Sequence, residues 1–146
     1  MKEFDRRPGD ILVVDDDYWM NSFICHWLSG LFPRHGFQSA RNGAEALGLS
    51  AGGPWALALV DIEMPGMNGL ELTRQLVTLQ PELPVVTVSL HDTPEHRAAA
   101  IEAGARAYVS KTDMFVELPA FLRSLLFAAD RAVDAIVHLR LVDDNR

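Results

Sequence analysis

The stretch ILVVDDD at positions 11–17 runs an apolar segment straight into three adjacent carboxylates, Asp15, Asp16 and Asp17. Like charges packed this closely repel, and burying them is costly. A hard cation relieves both problems. Mg2+ takes oxygen ligands, keeps several waters and is typically held by one or two carboxylates with phosphate oxygens beside them. Three other apolar segments also end on a chemical group: ALALV on Asp61, VVTV on Ser89 and AYVS on Lys111. A lysine and a hydroxyl suit phosphoryl oxygens. A carboxylate beside Mg2+ can itself attack phosphorus and form an aspartyl phosphate. The metal and the lysine would offset the charge that develops during such a transfer.

These groups are far apart in sequence, so the fold must assemble them. Ile11 to Val14, Phe37 to Ala40, Ala56 to Val60, Val85 to Leu90 and Ala107 to Ser110 read as strands. The strands are continuously apolar rather than alternating, which predicts a parallel sheet with both faces covered by helices. Tyr18 to Leu31 has helical spacing: Trp19, Phe23, Trp27 and Leu31, and again Ile24 and Leu28. Asn42-Gly43 is a turn before a short helix from Ala44 to Ser50, and Gly52-Gly53-Pro54 breaks the chain. Asn68 caps a helix to about Leu79, with Glu71 three residues on as in a capping box. Asp92 or Thr93 caps the next, which carries Pro94 in its first turn and ends at Gly104. From about Asp113 the sequence is helical almost to its end. The pattern is βα five times, and in a parallel sheet all of the strand-end groups project from one edge. Ligands bind beyond that edge, where the strand order reverses.

Composition narrows the function. A chain of 146 residues suits one domain, and 49% apolar with 23% charged residues is the balance of a soluble globular protein. With 13 basic and 20 acidic residues the net charge is −7, which argues against a nucleic-acid-binding surface. The lone Cys25 excludes an internal disulfide, and its setting SFICHWL fits a buried structural thiol. The opening MKEFDRRPGD lacks the apolar core of a signal peptide, and no apolar run approaches the ~20 residues of a membrane span. The expected location is the cytoplasm, without membrane contact.

In their order and spacing, ILVVDDD, LALVDIEMPGMNGLEL, LPVVTVSLHD and EAGARAYVSKT resemble the receiver domains of two-component response regulators, from about Asp10 to Ala128. The resemblance implies an α/β, flavodoxin-like (βα)5 fold: a doubly wound five-stranded parallel sheet of strand order 2-1-3-4-5, here with an extended C-terminal helix. It makes Asp61 the phosphoacceptor, with a histidine kinase or a phosphotransfer protein as donor. Asp15 and Asp16 match the acidic pair that binds Mg2+, or Mn2+ in its place. Asp16 and Asp61 would touch the metal directly, Asp15 would act through water, and Glu63 would offer a backbone carbonyl. Ser89 matches the switch hydroxyl, Lys111 the lysine that pairs with the phosphoryl group, and Tyr108 the aromatic that swings inward on activation. Such a domain catalyses only its own phosphorylation and dephosphorylation, and signals through its fourth helix, fifth strand and fifth helix. SLHD and YVSKT further resemble receivers of LuxR-type helix-turn-helix transcription regulators. Two positions depart from the commonest pattern: Thr112 stands where proline often follows the lysine, and bulky Leu90 where a small residue often follows the hydroxyl.

Plainer roles cover the rest. Asp17 is read as a helix cap or a solvated acid, and Met64 and Met67 as turn packing. His26, His35, His91, His96 and His138 lack metal-ligand spacing, and Mg2+ does not select imidazole. The expected organisation is a leader over 1–9, the receiver over 10–128 and a helical extension or linker over 129–146. Leu122, Leu125, Ala129, Ala132, Ile136 and Leu139 form a short a/d seam that would pair two copies. Two competing functions share the residues. One is a phosphorylation-independent interaction module of the same fold, its site closed by Leu90. The other is an aspartyl-phosphate hydrolase with Glu63 as second acid, although Glu63 lacks the surrounding motif of those enzymes.

Overall fold

The computed structural model describes residues 9–128. Its elements in chain order are β1 (Asp10–Val14), α1 (Tyr18–Leu31), β2 (Phe37–Ala40), α2 (Gly43–Ser50), β3 (Trp55–Asp61), α3 (Gly69–Leu79), β4 (Val85–Ser89), α4 (Pro94–Glu102) and β5 (Ala107–Ser110). A fifth helix, α5, covers 114–128. The five strands are all parallel and lie in the order β2-β1-β3-β4-β5. This is the doubly wound, flavodoxin-like arrangement expected. The order reverses between β1 and β3, which opens a crevice beyond their carboxyl ends.

Two cores form because successive strand residues point to opposite faces. Ile11 and Val13 face one side with Leu57, Leu59, Val86 and Val88, where Ile24, Leu28, Leu118 and Leu122 from α1 and α5 cover them. Leu12 and Val14 face the other with Ala58, Val60 and Val85, under Ala46, Leu72 and Leu76 from α2 and α3. A third cluster joins Ile62, Ala100, Ala105 and Tyr108 near α4. Full burial of each large aliphatic side chain contributes about 1.5–3 kcal/mol, so the strands are fixed from both faces.

Several local details differ from the sequence reading. Strand β3 begins at Trp55, whose indole Nε1 donates to the Leu49 carbonyl at 3.2 Å. Strand β4 stops at Ser89, because Leu90 leaves the sheet and is 67% exposed. The capping box at α3 is half formed. Asn68 Oδ1 accepts from Glu71 N at 2.9 Å, but the Glu71 carboxylate turns to Arg74 and Gln75 one turn on. Thr93, not Asp92, caps α4, and its hydroxyl accepts from His96 N.

Helix α1 buries Asn21, Ile24 and Leu28, while Tyr18, Trp19, Phe23 and Leu31 are exposed. Spacing of three and four identifies a helix but does not choose between two adjacent apolar stripes. The outward stripe continues across to α5, where the Phe115 ring lies 5.9 Å from Phe23 and 5.1 Å from Trp27.

Leu122, a member of the expected seam, is fully buried against the sheet, and Leu125 packs against the same core. The proposed extension 129–146, with the rest of that seam, lies outside the described residues, as does the leader except Gly9.

Candidate functional site

Strands β1 and β3 are neighbours in register, Val14 beside Val60, so Asp15 and Asp61 emerge side by side at the crevice. Asp15, Asp16 and Asp61 each bring a carboxylate oxygen to within 4.8 Å of the others. Asp15 and Asp61 are buried, and Asp16 is exposed to solvent. Lys111, carried from the end of β5, sets its Nζ 3.3 Å from Asp61 Oδ1 and 3.8 Å from Asp15 Oδ2. The long lysine side chain spans the intervening end of β4. Asp15 Oδ1 accepts from Asp17 N at 2.9 Å, and Asp61 Oδ1 from Glu63 N at 3.3 Å.

One lysine against three acids leaves the cluster under-neutralised. Burial, then the neighbouring charge of Asp15, pushes the Asp61 carboxyl up to about 7, against the pull of Lys111. Burial likewise raises Asp15, opposed by the Asp17 amide and by Lys111. The converging donors are all hard oxygens, the set suited to Mg2+, and among the described residues no histidine belongs to such a group.

Two residues brace this arrangement. Asp17 is a cap, its Oδ1 accepting from Met20 N at 3.1 Å as α1 begins. Asn21 was not singled out by sequence reasoning. Its buried amide donates to the Asp15 carbonyl at 3.1 Å and the Ala40 carbonyl at 3.0 Å, tying the β1 end to that of β2. A polar residue on the buried stripe of Ile24 and Leu28 was the available signal. Cys25 is half-buried, burial raises its thiol, and Sγ lies 3.5 Å from Asn21 Oδ1.

The opposite flank of the site is organised differently. The buried Ser89 hydroxyl donates to Glu63 Oε1 and accepts from His91 N at 3.1 Å. Glu63 Oε2 accepts from Leu90 N at 3.3 Å. The Glu63 side chain is thus committed to Ser89 and Leu90, and it is not among the acids that converge. Burial raises the Glu63 carboxyl, but the hydrogen bonds from Ser89 and Leu90 outweigh it and hold it below its ordinary range. His91 Nε2 lies 3.9 Å from Glu63 Oε1. Tyr108 is buried, its hydroxyl donates to the His91 carbonyl, and Arg97 sits 5.2 Å over its ring. Sequence reasoning placed Ser89, Glu63 and Tyr108 at the site but missed that the first two bind each other. Thr112 N donates to Ser110 Oγ at 3.2 Å, a bond that proline could not make.

Known proteins resemble the chain over this same region. A family model described as the response regulator receiver domain matches residues 11–123. Response regulator MprA of Mycobacterium sp. (strain KMS) is 36% identical over 119 residues, covering 82% of this chain and 51% of the relative. MprA of Mycobacterium avium (strain 104) is 35% identical over 116 residues, or 80% of this chain and 50% of that one. The chain therefore spans about half the length of these relatives. Among solved structures, response regulator TrrA of Thermotoga maritima in complex with Mg2+-BeF is 29% identical with a TM-score of 0.72, covering 81% of this chain and 99% of that one. The receiver domain of a signal transduction histidine kinase from Syntrophus aciditrophicus is 26% identical with a TM-score of 0.75, covering 84% of this chain and 93% of its own.

Proposed function

The chain belongs to the response regulator receiver family, and on that premise we propose that it is switched by accepting a phosphoryl group on Asp61. The observation that carries this reading is the convergence of Asp15, Asp16 and Asp61, with Lys111 reaching both buried acids. The donor is a phosphohistidine on a kinase or phosphotransfer protein. An Asp61 oxygen bonds to phosphorus as the histidine nitrogen leaves. Lys111 offsets charge on the phosphoryl oxygens, and Ser89 supplies a hydroxyl to one of them. Asp15, Asp16 and Asp61 would hold Mg2+, with Glu63 lending its backbone carbonyl. The oxygen-only donor set fits that ion, and the related TrrA was crystallised with Mg2+-BeF. When bound, the ion supplies positive charge to the acids and to the phosphoryl oxygens.

The new group adds roughly −1.5 to −2 charges. Ser89 and Tyr108 couple it to the face of α4, β5 and α5, whose population of states it shifts. The receiver unit comprises residues 10–128, and it also catalyses loss of its own phosphoryl group. A cytoplasmic location suits such a partner, and among the described residues no helix is long and apolar enough to cross a membrane. The competing module closed by Leu90 is disfavoured, because that side chain is 67% exposed rather than packed into the crevice.

Incubation with acetyl phosphate and Mg2+, followed by intact mass, tests the proposal. The wild type should gain about 80 Da, one phosphoryl group, and Asp61→Asn or a chelated sample should gain nothing. No adduct on the wild type, with no beryllofluoride binding either, would leave the interaction module as the better reading. Rapid turnover of small phosphate esters would favour the hydrolase.

A further inference from the structure

We infer that Glu63 is a positioning residue that competes with the phosphoryl group for the Ser89 hydroxyl, so that it restrains the switch until Asp61 is modified. The inference rests on the phosphoacceptor reading and deepens it. A serine hydroxyl has one proton to donate. Here that proton goes to Glu63 Oε1, while the oxygen accepts from His91 N at 3.1 Å. The second Glu63 oxygen accepts from Leu90 N at 3.3 Å. One carboxylate thus ties down both the hydroxyl and the backbone that follows it. Ser89 cannot donate to a phosphoryl oxygen on Asp61 and to Glu63 at once.

The release follows from charge. Glu63 lies two residues beyond Asp61, and its carboxylate already acts on Asp61 electrostatically. A phosphoryl group there adds roughly −1.5 to −2 charges and repels a neighbouring carboxylate. The same event therefore weakens the hold of Glu63 and offers Ser89 a stronger acceptor. The Tyr108 hydroxyl holds the His91 carbonyl in the same segment, so the released hydroxyl lies on a connection already tied to β5. The competition has a thermodynamic signature: the modified state must outbid a charge-assisted hydrogen bond.

Beryllofluoride with Mg2+, which mimics the acyl phosphate, provides the probe, titrated against amide NMR shifts. Glu63→Ala should bind it roughly tenfold more tightly than wild type, the scale of one charge-assisted hydrogen bond. Glu63→Gln, which keeps an acceptor without the charge, should fall between. In a Ser89→Ala background the gain from Glu63→Ala should shrink to the part owed to charge repulsion alone, because no hydroxyl is left to contest. Equal affinities for wild type and Glu63→Ala, or the same gain with and without Ser89, would overturn the inference. A second measurement needs no ligand: amide exchange at Leu90 and His91 should accelerate roughly tenfold in Glu63→Ala, and unchanged exchange would also overturn it. Failure of beryllofluoride to bind the wild type would instead strike the phosphoacceptor reading, while exchange still reports on the Glu63 contact.

Discussion

The two flanks of the crevice are held by different kinds of bond. On the acidic flank backbone bonds hold the ends of β1 and β3, with the Asn21 amide bracing β1 against β2. Asp15 N donates to the Ala40 carbonyl at 3.1 Å, Ile62 N to Val88 at 3.0 Å, and Gly69 N to Ile62 at 3.0 Å. On the hydroxyl flank the connection from β4 to α4 is held by side chains: Ser89 on Glu63, Tyr108 on His91 and Arg97 on Asp92. Backbone bonds between strands open only with the sheet, whereas a side-chain bond can be exchanged by turning one rotamer. Under the proposed function, a site that keeps fixed ligand geometry and also reports a change gains from separating the two tasks in space.

The largest effect should come from the acidic flank and its pH dependence. The Asp61 carboxyl is raised from 3.8 to about 7. A folded-state value above the unfolded one means that folding favours the protonated form. That contribution is complete below the unfolded value and is lost as pH rises through the folded one. Its full size is about 4 kcal/mol. Urea denaturation with chelator present should show stability falling from about pH 4 to 7, and Asp61→Asn should flatten the decline. A wild-type curve as flat as that of the variant would remove the electrostatic half of the comparison.

Next in size is Gly69→Ala, which probes the backbone packing behind Asp61. A Cβ at Gly69 would strike the backbone of Asp61 and Ile62, neither of which can turn aside. The expected loss is about 3 kcal/mol in the same denaturation assay. A neutral outcome would mean that the acidic flank yields as easily as the other. Tyr108→Phe removes only the bond to His91 and should cost about 1 kcal/mol. The smallest effect belongs to Leu90→Ala, within about 0.5 kcal/mol for so exposed a side chain. Its rate of labelling by acetyl phosphate should equal that of wild type, and a large acceleration would revive closure by Leu90.

The acidic flank was far more legible in the sequence than the hydroxyl flank. Four of the five apolar runs end on a chemical group, and a parallel sheet gathers such ends by topology alone, so the placing of Asp15, Asp61, Ser89 and Lys111 followed from the strands. The pairing of Glu63 with Ser89 did not, because it depends on the path of a loop and on side-chain rotamers that no periodicity encodes. Asn21 was hidden for a related reason: its polar amide sits on an apolar stripe, and only the neighbouring β1 and β2 carbonyls explain it. In α1 the helix was clear, but the aromatic stripe that stood out in the sequence is the one that faces outward.

That outward stripe gives the protein an optical reporter. Of its three tryptophans, Trp19 lies two residues beyond the Asp17 cap and is 80% exposed. Trp27 is lower on α1, and Trp55 opens β3 at the opposite, amino-terminal end of that central strand. Events at the acids should therefore perturb emission from Trp19 while leaving that of Trp55 as an internal standard. Cation binding could then be followed by light from the native sequence, with Trp19→Phe as the silent control.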